Sequence, residues 1–193
     1  MEEPKIKATM SDEFDHEKPR IEPIEDPDSF KLKLAYWFTK KKIGKVITPL
    51  KVIQSRMPGT LSLSKKMIDI EENLSLPDDL VFFIKSYVAT LNGCSFCIDI
   101  AKAKAGDEAT VRKYEQLLNY ESADEFSYAE KAALKYVEQA TLEKEVSDKI
   151  FKDLREHFSD SEIVEITWLN ALENYYNLLS KPLGIESDNL CKV

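Results

Sequence analysis

The chain has 193 residues with a net charge of −8, of which 43% are hydrophobic and 32% charged. That length supports one sizeable core without requiring two. No stretch approaches the ~18 uninterrupted apolar residues of a membrane span, and the acidic opening MEEPK has no apolar signal-peptide region. Three cysteines, two of them close-set, do not make a secreted disulfide scaffold, so a reducing cytoplasm is the expected compartment.

The charge is unevenly laid out. Residues 1–28 hold ten acids against four bases, a net −6, together with Pro4, Pro19, Pro23 and Pro27. They read as an extended acidic arm, separate from an all-helical domain over 29–193. Residues 29–66 hold ten bases and no acid, which suggests an acidic tail lying near a basic surface. Nucleic acid is not expected as a partner: the total charge is acidic and the basic block has no reading motif. No membrane association is expected either.

"SFKLKLAYWFTKKKIG" predicts a helix with Ser29 as N-cap and Gly44 just past its end. Phe30, Leu34, Trp37 and Phe38 form an apolar stripe, and Lys40, Lys41 and Lys42 suit the negative end of the helix dipole. "TPLKVIQSRMPG" predicts a short helix capped by Thr48 with Pro49 at its first position. "TLSLSKKMIDIEENL" predicts another. Pro77 then opens "PDDLVFFIKSYVATLNG", apolar over almost its whole circumference and so buried in a core or between subunits.

A helix follows from Cys94 to about Ala105, with Gly106 as its stop, and then "DEATVRKYEQLLNYE". Ser127 with Glu130, and Ser159 with Glu162, form capping boxes that open two further helices around "SDKIFKDLREHF". The second of these is long and ends near Pro182 and Gly184. No β-run flanked by turn signals stands out, and five glycines leave little material for hairpins. The fold class is therefore all-α, a single-domain bundle of about eight helices.

The chemistry concentrates in "TLNGCSFCIDIAKAKA". On a helix, Cys94, Cys97, Ile98, Ala101 and Ala105 share one face, and Asp99, Lys102 and Lys104 lie away from it. Both thiols then sit in a first turn, where unpaired N–H groups and the dipole lower a thiol's pKa. A spacing of three also lets the sulfurs join. Three readings are open: a redox pair, two small buried hydrophobes, or half of a zinc site. Zinc would need Cys191, His16 and His157, which are scattered and not at ligand spacing. A di-metal bundle needs paired Glu-x-x-His motifs, and the chain has one, Glu13 to His16, in the arm. Neither a metal nor a cofactor is expected. The aromatic residues Phe82, Phe83, Trp168, Tyr175 and Tyr176 either line an apolar pocket or pack as core.

The apolar helix, "LNGCSFCID", and the later "NALENYYNLLSKPLGI" together resemble the carboxymuconolactone decarboxylase-like family, alkylhydroperoxidase D type, over about residues 46–120 and more loosely to the C-terminus. The family motif N-x-C-x-Y-C-x-x-x-H is matched by "NGCSFCIDIA" at its asparagine and both cysteines but not at its last position. The resemblance implies an all-helical bundle that assembles into homo-oligomers, often trimers or hexamers. It also implies that Cys97 attacks a peroxide and becomes a sulfenic acid, that Cys94 donates a proton and resolves it as a disulfide, and that an external thiol or dithiol reduces the pair. Two family positions differ. The histidine four residues past the second cysteine is Ala101, and the acid twelve before the first is Phe82. Glu72, Glu121 and Glu173 are the candidates to replace that proton relay. The function expected is a peroxidase-like thiol oxidoreductase acting on a small-molecule peroxide or other oxidant. The alternative is a catalytically degenerate member serving as a binding or assembly subunit. Lactone decarboxylation, the family's other activity, would need an acid or base the motif does not offer.

Overall fold

The computed structural model of the chain describes residues 18–104 and 108–190. Among them are eight α-helices and no strand: α1 (Phe30–Ile43), α2 (Gly59–Glu71), α3 (Asp78–Leu91), α4 (Ser95–Lys104), α5 (Glu108–Glu115), α6 (Tyr128–Glu143), α7 (Asp148–Arg155) and α8 (Asp160–Ser180). The all-α expectation and the helix number both hold. Both capping boxes are formed, each serine accepting from the N–H three residues on while the glutamate accepts from the serine N–H.

α3 is the axis of the bundle. It packs against α8, α6 and α4, and Leu80, Phe83, Ile84, Tyr87, Val88 and Ala89 are all buried along it. Two acids in its first turn, Asp78 and Asp79, face the positive end of its dipole. The main core gathers these residues with Leu134 and Val137 of α6, Leu154 of α7, and Ile163, Ile166 and Leu169 of α8. A second, smaller cluster lies at the α3–α4 junction and holds Val52, Ile53, Ala89, Cys94, Phe96, Cys97 and Ile185.

The N-terminal third departs from its sequence reading in three places. Ser29 stands at the N-cap of α1 in extended conformation, but its side chain makes no capping bond. The stripe of Phe30, Leu34, Trp37 and Phe38 faces outward, with Phe30 80% exposed, because Leu32 and Tyr36 on the opposite side are what pack inward. Third, Leu50–Gln54 is a π-helical turn, and Thr48 does not cap it with its own oxygen. Its N–H and hydroxyl both donate instead to the Asp188 carboxylate from the C-terminal segment, each at 2.7 Å.

Residues 18–28 lie across the basic block, as opposite charges favour. Glu25 pairs with Lys51 and Asp26 with Lys33. The Ile24 N–H donates to the Lys51 carbonyl, and the Arg20 N–H to the Leu183 carbonyl. The first seventeen residues of the proposed arm, with Glu13 and His16, lie outside the described residues, as do Ala105, Gly106 and Cys191.

Candidate functional site

The site begins with how α3 ends. Asn92 is its last cap residue, and Gly93 follows at φ +61°, a left-handed conformation that favours glycine. The Gly93 N–H then bonds the Thr90 carbonyl and the Cys94 N–H bonds the Ala89 carbonyl. This pair of bonds is the Schellman arrangement. In the same stroke Cys94 becomes the cap of α4, since its carbonyl accepts from the Ile98 N–H at 2.9 Å. The Asn-Gly turn thus delivers the first sulfur to the opening of α4, with the second one turn along.

The two sulfurs are joined: Cys94 and Cys97 form a disulfide across a Cα–Cα distance of 5.3 Å. Cys94 is 1% exposed and Cys97 8%. Around them are Val52 and Ile53 from the π-turn, Phe96 from α4 and Ile185 from the C-terminal segment, with Tyr176 and Leu179 of α8 partly buried beside them.

A polar group reaches the pair from α8. The Asn177 amide, on the inner face of α8, donates to Cys97 Sγ at 3.1 Å and to Glu173 Oε1 at 2.8 Å. Its Oδ1 accepts from Asn92 Nδ2 at 2.8 Å, and the same Asn92 nitrogen donates to Asn174 Oδ1 at 3.0 Å. Asn170 and Thr141 continue the network, with Thr141 Oγ1 donating to Asn170 Oδ1 at 2.6 Å. Glu173, Asn177 and Asn170 are all buried. Burial, and then the Glu71 and Glu173 carboxylates, push the Tyr176 phenol up to about 12. The field of Glu173 therefore extends into the apolar shell of the disulfide.

The other sequence candidates fall as follows. Of the three possible relay acids, Glu173 joins the sulfur network. Glu121 instead pairs with the half-buried Lys135, and Glu72 is exposed at the end of α2. Phe82 belongs to the main core, its ring against Phe83 and Tyr114. Ala101 lies partly buried one turn beyond Cys97. Asp99 does point away from the disulfide: its buried carboxylate accepts the Leu190 N–H at 2.9 Å. His157 is exposed, and no cluster of three metal-ligating side chains occurs among the described residues. An open cleft of about 650 Å³ between α6 and α7 is lined by Lys131, Lys135, Lys149 and His157, and shares no residue with the disulfide cluster.

Asn177 was not singled out from the sequence, and Asn92 entered only as the first residue of the "NGCSFCIDIA" motif. A signal was there: Asn170, Glu173 and Asn177 recur at helical spacing on the face that carries Ile163 and Ile166. Polar residues on the buried face of a long helix mark a network that must be satisfied internally.

No protein-family model matches the chain. The "Uncharacterized protein YdfG" of Bacillus subtilis (strain 168) is 34% identical over 105 residues, 52% of this chain and 71% of YdfG. The chain belongs to the same family as YdfG. Solved structures share the fold of the chain. The alkylhydroperoxidase AhpD core of an uncharacterized peroxidase-related protein from Ralstonia eutropha JMP134 superposes with TM-score 0.68 at 19% identity, over 84% of this chain and 88% of that one. The apo debrominase Bmp8 superposes with TM-score 0.73 at 16% identity, over 87% of this chain and 91% of that one. The fold of this YdfG family member is thus the alkylhydroperoxidase D-like helical bundle. No helix among the described residues is long and apolar enough to cross a membrane.

Proposed function

We propose that this protein is a dithiol oxidoreductase of the alkylhydroperoxidase D type, with Cys97 as nucleophile and Cys94 as resolving thiol. The observation that carries the reading is the Cys94–Cys97 disulfide at the opening of α4, inside an apolar shell. In the first step the Cys97 thiolate attacks a peroxide oxygen. The O–O bond breaks, an alcohol leaves with a proton from Cys94, and Cys97 becomes a sulfenic acid. The Cys94 thiolate then attacks that sulfur, the S–O bond breaks, hydroxide leaves and takes a proton from solvent to become water, and the disulfide forms. An external dithiol reduces it, itself becoming a disulfide. The apolar shell suits an organic hydroperoxide, and a cytoplasmic thiol pool suits the reductant.

Homo-oligomeric assembly belongs to the same reading. It is supported by the outward Phe30, Leu34, Trp37 and Phe38 of α1, each more than half exposed, since a contiguous apolar face of this kind marks an interaction surface.

The test is turnover. Reduced protein given an organic hydroperoxide and a dithiol recycler should consume peroxide repeatedly, and Cys97→Ser should stop it. Wild-type turnover by Cys97→Ser would end the reading. The burial of Cys94 and the missing residues at positions 82 and 101 favour a second reading, a non-catalytic binding or assembly subunit. In that case a Cys94→Ala, Cys97→Ala double variant changes stability and nothing else.

A further inference from the structure

The network on α8 has a fixed direction, and the direction ends at a sulfur. The backbone carbonyl of Asn170 can only accept, so Asn174 must present its Nδ2 there, at 2.9 Å. That turns Asn174 Oδ1 toward Asn92, which must answer with its nitrogen at 3.0 Å. The same nitrogen claims Asn177 Oδ1 at 2.8 Å. Both N–H groups of Asn177 are then committed, to Glu173 Oε1 at 2.8 Å and to Cys97 Sγ at 3.1 Å. A flipped amide would set oxygen against carboxylate and nitrogen against the Asn92 donor. Asn177 therefore offers the sulfur a donor and nothing else, and with Asn177 only 2% exposed water competes little.

Resting on the dithiol reading, the geometry points to Asn177 as the catalytic donor that stabilises the Cys97 thiolate, with Asn92 and Glu173 positioning its amide. The thiol proton leaves to solvent, and Asn177 transfers none; it holds the charge left on sulfur, as a hydrogen bond to the charged form does. This supplies by hydrogen bonding part of what the absent relay at positions 82 and 101 would have supplied. Glu173 acts on the thiol in the opposite sense, because its carboxylate opposes a second negative charge nearby.

Among the described residues, the titratable groups on the elements packed around the sulfurs have other contacts. Asp99 accepts from Leu190 and Asp188 from Thr48. Glu186 accepts from Ser95, and Lys181 donates to the Asn92 carbonyl. On α3, Lys85 pairs with Glu71. Cys94 is the bonded partner, and Tyr176 is neutral below its raised value of about 12.

The experiment is pH-dependent alkylation of Cys97 in the reduced full chain, followed on its peptide by mass spectrometry. A Cys94→Ser background keeps one thiol from titrating with the other. Asn177→Ala should raise the Cys97 midpoint by about one to two pH units, the size of a charge-assisted hydrogen bond. Asn92→Ala should raise it less, by freeing the amide to turn, and Glu173→Gln should lower it. A purely structural network would not move the midpoint in opposite directions. An unmoved midpoint in Asn177→Ala overturns the inference. If that variant does not fold, an unmoved midpoint in Asn92→Ala or an unlowered one in Glu173→Gln does so. The readout needs no peroxide turnover, so failure of the peroxidase reading shows separately, as Cys97→Ser retaining turnover.

Discussion

Asp188 holds Thr48 by two bonds from 140 residues away, one from the Thr48 N–H and one from its hydroxyl, both at 2.7 Å. Lys45 adds an ion pair to the same carboxylate at 3.6 Å. The segment so anchored carries Ile185, 2% exposed, into the cluster around the disulfide. The C-terminal segment is thus part of the wall of the site, and its anchor is polar. Asp188→Ala should leave the Thr48 donors unpaired at a cost of about 2–3 kcal/mol, read by denaturant unfolding. It should also speed amide exchange over residues 185–190. Unchanged exchange there would remove the anchoring role.

Reduction of the disulfide should cost little stability. The bond closes a loop with a sequence separation of only 3, for which chain entropy is worth about 2 kcal/mol. Oxidised and reduced protein should therefore melt about 4–8 °C apart at this chain length. Calorimetry on both forms checks this; loss of the folded state on reduction would mean that the bond is a structural staple and not one leg of a cycle.

Acid should loosen the start of α6 through Glu130. Burial raises this carboxyl, but the hydrogen bonds from Lys113 and from Ser127 outweigh it and hold the group below its ordinary 4.5. A depressed carboxyl stabilises the fold above its unfolded value and loses that contribution as pH falls through the folded one. Glu130→Gln should cost about 1 kcal/mol near neutrality, as loss of a capping partner does. It should also flatten the loss of stability below pH 4.5. Unfolding curves at pH 7, 5, 4 and 3 test both parts.

Two leucines on one helix should behave differently. Leu169 is fully buried and Leu178 is 71% exposed, nine residues further along α8. Leu169→Ala leaves a cavity in the main core and should cost about 2–5 kcal/mol, while Leu178→Ala should stay within about 0.5 kcal/mol in the monomer. A larger effect at Leu178 that depends on protein concentration would place that side chain in an interface between copies.

Local chemistry decided what could be read without the structure. Capping boxes and the apolar circumference of α3 involve neighbours three or four residues apart, so the helices, their order and the placing of both cysteines at a helix opening are written along the chain. Long-range pairing was not legible. Thr48 reads as a cap for its own turn until Asp188 arrives to take both its donors. The stripe on α1 shows that one face is apolar, but not that Leu32 and Tyr36 would win the inner side. Glu173 could be named only as one of three acids, because its place on the α8 face of Ile163 and Ile166 marks it as inward and does not say which side chain it meets. The packing of α8 against α3 sets Asn177 between that carboxylate and Cys97, a contact across 80 residues. The sequence by itself thus determined an all-helical chain with a dithiol at the start of a helix, since helices and their ends depend on near neighbours. Only the tertiary structure decided which polar groups meet the sulfur, because a hydrogen bond between helices depends on how their faces turn toward each other.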